Sequence, residues 1–168
     1  MSDIASKLHL SPGVSQFPVE WYFDEKLFEL EKQLIFDAGP GYAGHELMVP
    51  ELYNYRSTEW SDHSHILVRQ PDGIYQMSNV CRHRQAIMLE GSGTADKTIV
   101  CPIHRWTYDS QGKLMGAPEF PGNPCLNLNR TGLQNWQGLL FAGARDVKAD
   151  LAGMQAAREL DFSGFMLD

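Results

Sequence analysis

The chain is poor in cysteine and short of positive charge, and each shortage excludes something. Three cysteines in 168 residues are too few for a disulfide-stapled secreted scaffold, and they suit a reducing, cytoplasmic compartment. A net charge of −7 argues against nucleic acid as the main partner, because phosphate binding rests on lysine and arginine. No run of about 20 apolar residues is present from which to build a transmembrane helix; the longest comparable stretch runs from Gly138 to Ala144. The N-terminus lacks a basic segment followed by an apolar one, so no secretory signal is expected. What the chain does have is 43 % hydrophobic residues, enough for one packed domain at this length.

Two of the three cysteines and two of the six histidines fall in one short stretch. Cys81-Arg82-His83 is followed, after seventeen residues, by Cys101-Pro102-Ile103-His104. The pattern C-x-H-x17-C-x-x-H offers one thiolate and one imidazole from each of two short loops. That pairing suits a cluster of two unlike irons bridged by sulfide, with Cys81 and Cys101 on one iron and His83 and His104 on the other: a Rieske [2Fe-2S] centre. Charge counting gives the consequence. Two ferric irons bring six positive charges, two sulfides remove four and two thiolates remove two, so the oxidised cluster is neutral where four thiolates would leave it doubly negative. Adding an electron to a neutral centre costs less, which places such clusters at roughly −150 to +300 mV against about −400 mV for plant-type ferredoxins. Each imidazole can also keep one ring nitrogen free, as an electron exit and a site of coupled protonation. The competing reading is a structural Cys2His2 zinc site. Zinc sites more often pair both cysteines on one knuckle and both histidines on a helix, whereas here each loop is mixed and follows a strand-like run.

Around these loops the hydrophobic period is mostly two. Met1 to Gln16 is polar, with Ser, Pro and Gly, and reads as an extended arm. Phe17 to Phe36 reads as a helix, with Phe23, Leu27, Leu30 and Leu34 on one face that covers a side of the domain, Asp24 as its cap and Gly39-Pro40-Gly41 as its end. Strands are predicted at Tyr42–Gly44, Leu47–Val49, Tyr53–Thr58, His65–Arg69, Ile74–Ser78, Thr98–Cys101, Thr107–Asp109, Lys113–Met115, Gln134–Trp136 and Leu139–Ala142. Pro71-Asp72-Gly73 and Ser110-Gln111-Gly112 are hairpin turns between them. Many short strands with frequent turns indicate an antiparallel all-β domain. After Ala142 a short helix follows, capped by Asp150, with Leu151, Met154 and Arg158 at helical spacing. The tail Phe162 to Leu167 is apolar, like a strand with more to pack on. The division expected is an arm and helix over 1–41, a β domain over 42–145, and a C-terminal helix and tail over 146–168.

Several smaller features need a reading. His63 and His65 are two apart and would share a strand face, but with no third ligand they read as surface histidines near a turn. His9 and the His45-Glu46 pair have no evident partner. The Pro-, Gly- and Asn-rich stretch from Pro118 to Asn129 reads equally as a flap over the cluster or as a plain connection. Cys125, left over from the cluster, reads as a buried free thiol. Arg82, Arg84 and Arg105 flank the ligands on an otherwise acidic protein, so a local basic patch for an acidic partner is expected. The alternative for Arg84 is a brace to a carboxylate within its own loop.

The ligand loops resemble those of the Rieske non-haem iron oxygenases, the ring-hydroxylating and N- or O-demethylating family. Cys81-Arg82-His83-Arg84 is close to that family's first loop. Cys101-Pro102-Ile103-His104-Arg105-Trp106-Thr107-Tyr108-Asp109 is close to its second, and Gly112-Lys113-Leu114 and Gly116-Ala117-Pro118 continue the match. Val68 to Gly73, then Ser78-Asn79-Val80-Cys81, and the helix ahead of the sheet are also similar to the oxygenase α subunit. Gln85 and Arg105 depart from the pattern, standing where the family usually has glycine. The resemblance implies a Rieske-type β domain whose cluster sits among Cys81, His83, Cys101, His104, Trp106 and Tyr108. It implies electrons arriving from a reductase or ferredoxin and leaving through His104 to a mononuclear iron, usually in a neighbouring subunit of a homo-oligomer, a trimer in the family. That iron would be held by two histidines and a carboxylate. After His104 there is no histidine, and before Cys81 no carboxylate is followed by two histidines at helical spacing, so the chain alone is expected to pass electrons and oxygenate nothing.

Respiratory Rieske proteins resemble this pattern but add a cysteine to each loop, forming a disulfide, and place a serine hydroxyl by the cluster sulfur. Here neither extra cysteine is present and the serine position is Trp106, while Tyr108 can still donate a hydrogen bond. Fewer donors place the expected potential at the lower end of the Rieske range. Two other functions stay open at this point: a free-standing Rieske ferredoxin-like carrier, and a zinc-stabilised binding module.

Overall fold

In a computed structural model, residues 17–95, 97–154, 157 and 159–161 are described. The expected N-terminal arm, His9, Arg158 and the apolar tail at 162–167 lie outside them. The strands are β1 (Gly41–His45), β2 (Asn54–Ser57), β3 (His65–Gln70), β4 (Gly73–Ser78), β5 (Ser92–Thr94) and β6 (Thr98–Val100), then β7 (Thr107–Asp109), β8 (Leu114–Gly116), β9 (Arg130–Gly132), β10 (Gln134–Trp136) and β11 (Leu139–Ala142). They form three antiparallel sheets, ordered β5-β2-β3-β4-β9, β1-β11-β10 and β6-β7-β8. The architecture is all-β, as the turn-rich, short-strand pattern implies.

β3 shows why the sheets stack as they do. Its side chains alternate across the sheet. Ile66 and Val68 face one core with Met77, Ile99, Trp106, Tyr108 and Leu114. Leu67, between them, faces a second core with Ala43, Val49 and Leu140. The central strand is thus buried on both faces, and the β6-β7-β8 sheet lies across the first. Both loop cysteines, Cys81 and Cys101, belong to that first core. The β3–β4 hairpin pairs Gln70 with Gly73 and leaves Pro71 and Asp72 as its turn. In the β7–β8 turn the Asp109 carboxylate accepts from the N–H groups of Gln111 and Lys113, each at 2.9 Å.

The structure revises four local expectations. The N-terminal segment is not one helix but a 3-10 turn at Val19–Phe23, a helix α1 (Glu25–Glu31) and a π-helical stretch at Lys32–Asp37. Asp24 does cap α1, accepting from Lys26 N–H at 2.9 Å. The apolar face, however, does not cover the domain: none of these elements has a buried residue, and Phe23 and Leu34 are 82 % and 63 % exposed. Leu47–Val49 is not a strand. Glu46–Met48 forms a 3-10 turn because the His45 imidazole caps Leu47 N–H at 3.2 Å and Arg69 donates to the carbonyls of Val49 and Glu46. Gly138 lies against His45, where a Cβ would collide with the imidazole. The C-terminal helix α2 (Val147–Ala152) starts earlier than expected and is capped by Asp146, not Asp150; Asp150 instead pairs with Arg145 at 2.9 Å. Finally, β5 and β9 are additional strands with no apolar alternation to announce them, Ser-Gly-Thr and Arg-Thr-Gly, at the two edges of the five-stranded sheet.

Candidate metal centre

The two ligand loops are copies of one backbone device. In the first, Cys81 N–H donates to Ala86 C=O at 2.8 Å and Gln85 N–H returns to Cys81 C=O at 2.9 Å. In the second, Cys101 N–H donates to Trp106 C=O at 2.8 Å and Arg105 N–H returns to Cys101 C=O at 3.1 Å. Closing so tight a loop needs one residue of positive φ at the fourth position after the cysteine. Gln85 (φ 58°) and Arg105 (φ 61°) supply it, a conformation that costs a non-glycine residue roughly 1–2 kcal/mol. These are the two positions where glycine is usual, so the departures leave the backbone geometry in place.

The loops bring like donors together. Cys81 and Cys101 are each 1 % exposed, unbridged and in contact with one another. The His83 and His104 rings meet edge to face, 4.6 Å between centroids, and both are half-buried. Two thiols therefore point inward and two imidazoles outward. Among the described residues, no three His, Cys, Asp or Glu gather as a single-ion site requires. This separation into a thiol pair and an imidazole pair suits a two-metal cluster better than one tetrahedral zinc.

Electrostatics agree with a metal-binding role. Burial, more than any neighbour, pushes the Cys81 thiol up, and contact with Cys101 adds to it. A positively charged metal reverses that penalty by taking the thiolate. Burial likewise pushes His83 down, helped by His104 and Arg84, so the imidazole is held neutral, as a ligand must be. His83 Nδ1 is buried without a hydrogen-bond partner among the described residues. An orphaned buried nitrogen is costly unless something outside the polypeptide takes it.

Tyr108, fully buried, joins the loops. Its hydroxyl accepts from Arg82 N–H at 3.1 Å and stands 3.5 Å from Cys81 Sγ. With its lone pair used by Arg82, the phenolic proton is free for the sulfur. Burial and this sulfur raise the Tyr108 phenol far above its ordinary value, so it stays a donor. Trp106 lies flat against His83, 5.0 Å between centroids and 5° between planes.

The stretch after β8 is a flap. Asn123 donates to Leu114 C=O at 2.8 Å and Asn127 accepts from Leu114 N–H at 2.9 Å, which straps it to the β6-β7-β8 sheet. Between these straps and β8 sits Phe120, edge-on to both His83 (5.8 Å) and Trp106 (5.1 Å). Phe120 was legible only as an apolar residue set in a Pro- and Gly-rich run. Cys125 is exposed rather than buried, because the flap turns outward there at a positive φ of 56°. Arg82, Arg84 and Arg105 are exposed, and none takes part in an ion pair between described residues. The brace expected for Arg84 is thus not formed among them. His63 precedes β3 with positive φ (57°), so it does not share a strand face with His65, whose Nδ1 meets Ser64 Oγ at 2.9 Å.

An antiparallel β domain with a buried thiol pair and an outer imidazole pair defines an iron–sulfur protein of the electron-transferring class. The model of the Rieske [2Fe-2S] domain family matches residues 44–133, more than half of the chain, and the chain belongs to that family, whose group is a Rieske-type [2Fe-2S] cluster. The putrescine 2-hydroxylase of Ralstonia nicotianae is 55 % identical over 168 residues, covering 100 % of this chain and 46 % of the relative. That of Bordetella bronchiseptica is 45 % identical, covering 100 % and 42 %. A quaternary ammonium Rieske monooxygenase, whose structure reveals inter-subunit electron transfer, aligns with a TM-score of 0.66 at 25 % identity, over 85 % of this chain and 41 % of its own. The chain spans less than half the length of these relatives. Among the described residues, no helix is long and apolar enough to cross a membrane.

Proposed function

We propose that this chain is the Rieske electron-transfer part of a non-haem iron oxygenase, with Cys81 and Cys101 on the inner iron and His83 and His104 on the outer one. When bound between these loops, the cluster would supply one-electron chemistry between a reductase or ferredoxin and a mononuclear iron. The observation that carries this reading is the sorting of the four donors into a buried thiol pair and an outer imidazole pair. The protein's part is to hold those donors, to keep water from the sulfur side, and to aim a hydrogen-bond donor, Tyr108, at Cys81. The imidazole edge faces outward among Arg82, Arg84 and Arg105, a basic rim suited to an acidic redox partner. His104 is the exit ligand, toward a catalytic iron; inter-subunit electron transfer in the related monooxygenase supports an acceptor in a neighbouring subunit.

Two relatives along the full chain are putrescine 2-hydroxylases, so the reaction these electrons serve is hydroxylation of a short aliphatic diamine. Domain limits of 42–145 for the cluster domain, a homo-oligomeric assembly and a cytoplasmic setting belong to the same reading. The exposed apolar segment at 19–37 favours it over a free-standing carrier, since a small soluble carrier has no use for a large uncovered apolar surface.

The test is the visible and EPR spectrum of the purified protein before and after dithionite, with iron, sulfide and zinc analysis. A red-brown protein with a low-average-g signal on reduction is expected. A colourless, EPR-silent protein containing zinc would overturn the assignment.

A further inference from the structure

We propose that Phe120 is a positioning residue that keeps water off the His83 side of the cluster and thereby holds its reduction potential down. The inference rests on the cluster assignment above. His83 is enclosed by three rings: Trp106 stacked on one face, and Phe120 and His104 edge-on. His104, among the described residues, has a ring contact only with His83. The two imidazoles are thus equally half-buried but unequal in their ring contacts, three around His83 and one at His104.

Phe120 is the exposed member of the cover. Its ring is 42 % exposed while Trp106 beneath it is 1 % exposed, so it stands between solvent and the Trp106–His83 stack. It is carried by a segment whose straps to Leu114 come from Asn123 and Asn127, which fixes the flap without involving the ring. Under it lies the buried Trp106 Nε1, with no partner among the described residues. Among the described residues nothing satisfies this tryptophan N–H, and Phe120 offers it no acceptor.

The physical consequence has a definite sign. Reduction converts a neutral cluster into an anion, and water near the outer iron stabilises the anion more than an aromatic ring does. Excluding water therefore disfavours the reduced state, and admitting it favours reduction.

The experiment uses the purified cluster-loaded chain, titrated with dithionite and mediators, with deuterium modulation measured by pulsed EPR on the reduced cluster after exchange into heavy water. Phe120→Ala is expected to raise the midpoint potential and deepen the deuterium modulation. Phe120→Leu, which restores an apolar cover, is expected to return both close to the parent values. If the alanine variant fails to retain iron, Phe120→Val serves in its place with a smaller shift of the same sign. An intact cluster spectrum with unchanged potential and unchanged modulation in these variants would overturn the proposal. Failure of the parent protein to show a [2Fe-2S] spectrum is a separate outcome, and sinks the cluster assignment itself.

Discussion

Tyr108 stands 3.5 Å from Cys81, hydroxyl to sulfur, while accepting the Arg82 N–H at 3.1 Å. A donor aimed at a ligand sulfur stabilises the more negative, reduced cluster. Tyr108→Phe removes the donor and little volume, so the potential should fall. A hydrogen bond worth about 1 kcal/mol corresponds to about 40 mV for one electron, taking 59 mV per factor of ten. Potentiometry of the variant checks both sign and size; a rise would mean that the hydroxyl does not serve the sulfur. With Trp106 in place of a second hydroxyl donor, the parent potential should itself lie low in the Rieske range.

Gln85 and Arg105 close their loops with positive φ. Glycine at either position relieves roughly 1–2 kcal/mol of backbone strain and returns about half of it through the freer unfolded chain. Gln85→Gly and Arg105→Gly should therefore shift stability by about 1 kcal/mol or less and keep the cluster. Valine, β-branched, is the residue least suited to this conformation; Gln85→Val should cost about 2 kcal/mol and lower iron retention. Thermal denaturation with iron analysis separates the two.

The sequence carried the fold class and most strands because these rest on patterns that survive without tertiary context, short apolar runs bounded by turns, such as Ile66-Leu67-Val68 ahead of Pro71-Asp72-Gly73; its mixed Cys/His spacing singled out four residues that the fold sorts into a thiol pair and an imidazole pair. What it did not carry depends on packing across the chain. β5 and β9 exist because their neighbours offer open edges, not because Ser-Gly-Thr or Arg-Thr-Gly favours a strand. The regular apolar spacing of Phe23, Leu27, Leu30 and Leu34 promised a buried helix face, yet periodicity reports only that a face exists, not what covers it. Cys125 looked buried because free cysteine usually is; its place on an outward-turning flap was not visible in composition.

That exposure makes the three cysteines chemically distinct. In the native, cluster-loaded protein only Cys125 should react with a water-soluble disulfide reagent, and all three should react after denaturation in acid. Cys125→Ser should leave the spectrum and iron content unchanged, whereas Cys81→Ser or Cys101→Ser should lose most of the iron. Rapid modification of more than one thiol in the native protein would contradict the burial of the pair.

Arg105 lies one residue beyond His104 and is exposed. Reversing its charge as Arg105→Glu should slow reduction by a physiological donor on the order of tenfold at low salt and flatten the salt dependence, because rim charges act mainly on association. The potential measured without a partner should not change. Stopped-flow reduction over a range of ionic strength is the measurement, and an unchanged rate removes the docking role.

Asn79 couples the first ligand loop to the sheet, and its loss should be the most damaging single change outside the ligands. It is fully buried. Its amide donates to His63 C=O at 2.8 Å and to Leu89 C=O at 2.6 Å, and accepts from Leu89 N–H at 2.9 Å. Its backbone N–H reaches Ser64 C=O, and its C=O takes Met88 N–H. One side chain thereby ties the turn before β3 to the returning limb of the loop that holds Cys81 and His83. Asn79→Ala leaves three part-buried backbone groups unpaired, each worth about 1–3 kcal/mol where water cannot replace the amide. A loss of roughly 3–5 kcal/mol follows, or about 10 °C in Tm for a chain of this size. Asn79→Asp keeps the acceptor for Leu89 N–H but turns two donors into a buried charge facing carbonyls, so it should be no better than alanine. If the loop is positioned through this residue, both variants should release iron faster than the parent at temperatures where circular dichroism still shows folded β-structure. Loss of iron only together with global unfolding would reduce Asn79 to an ordinary core residue.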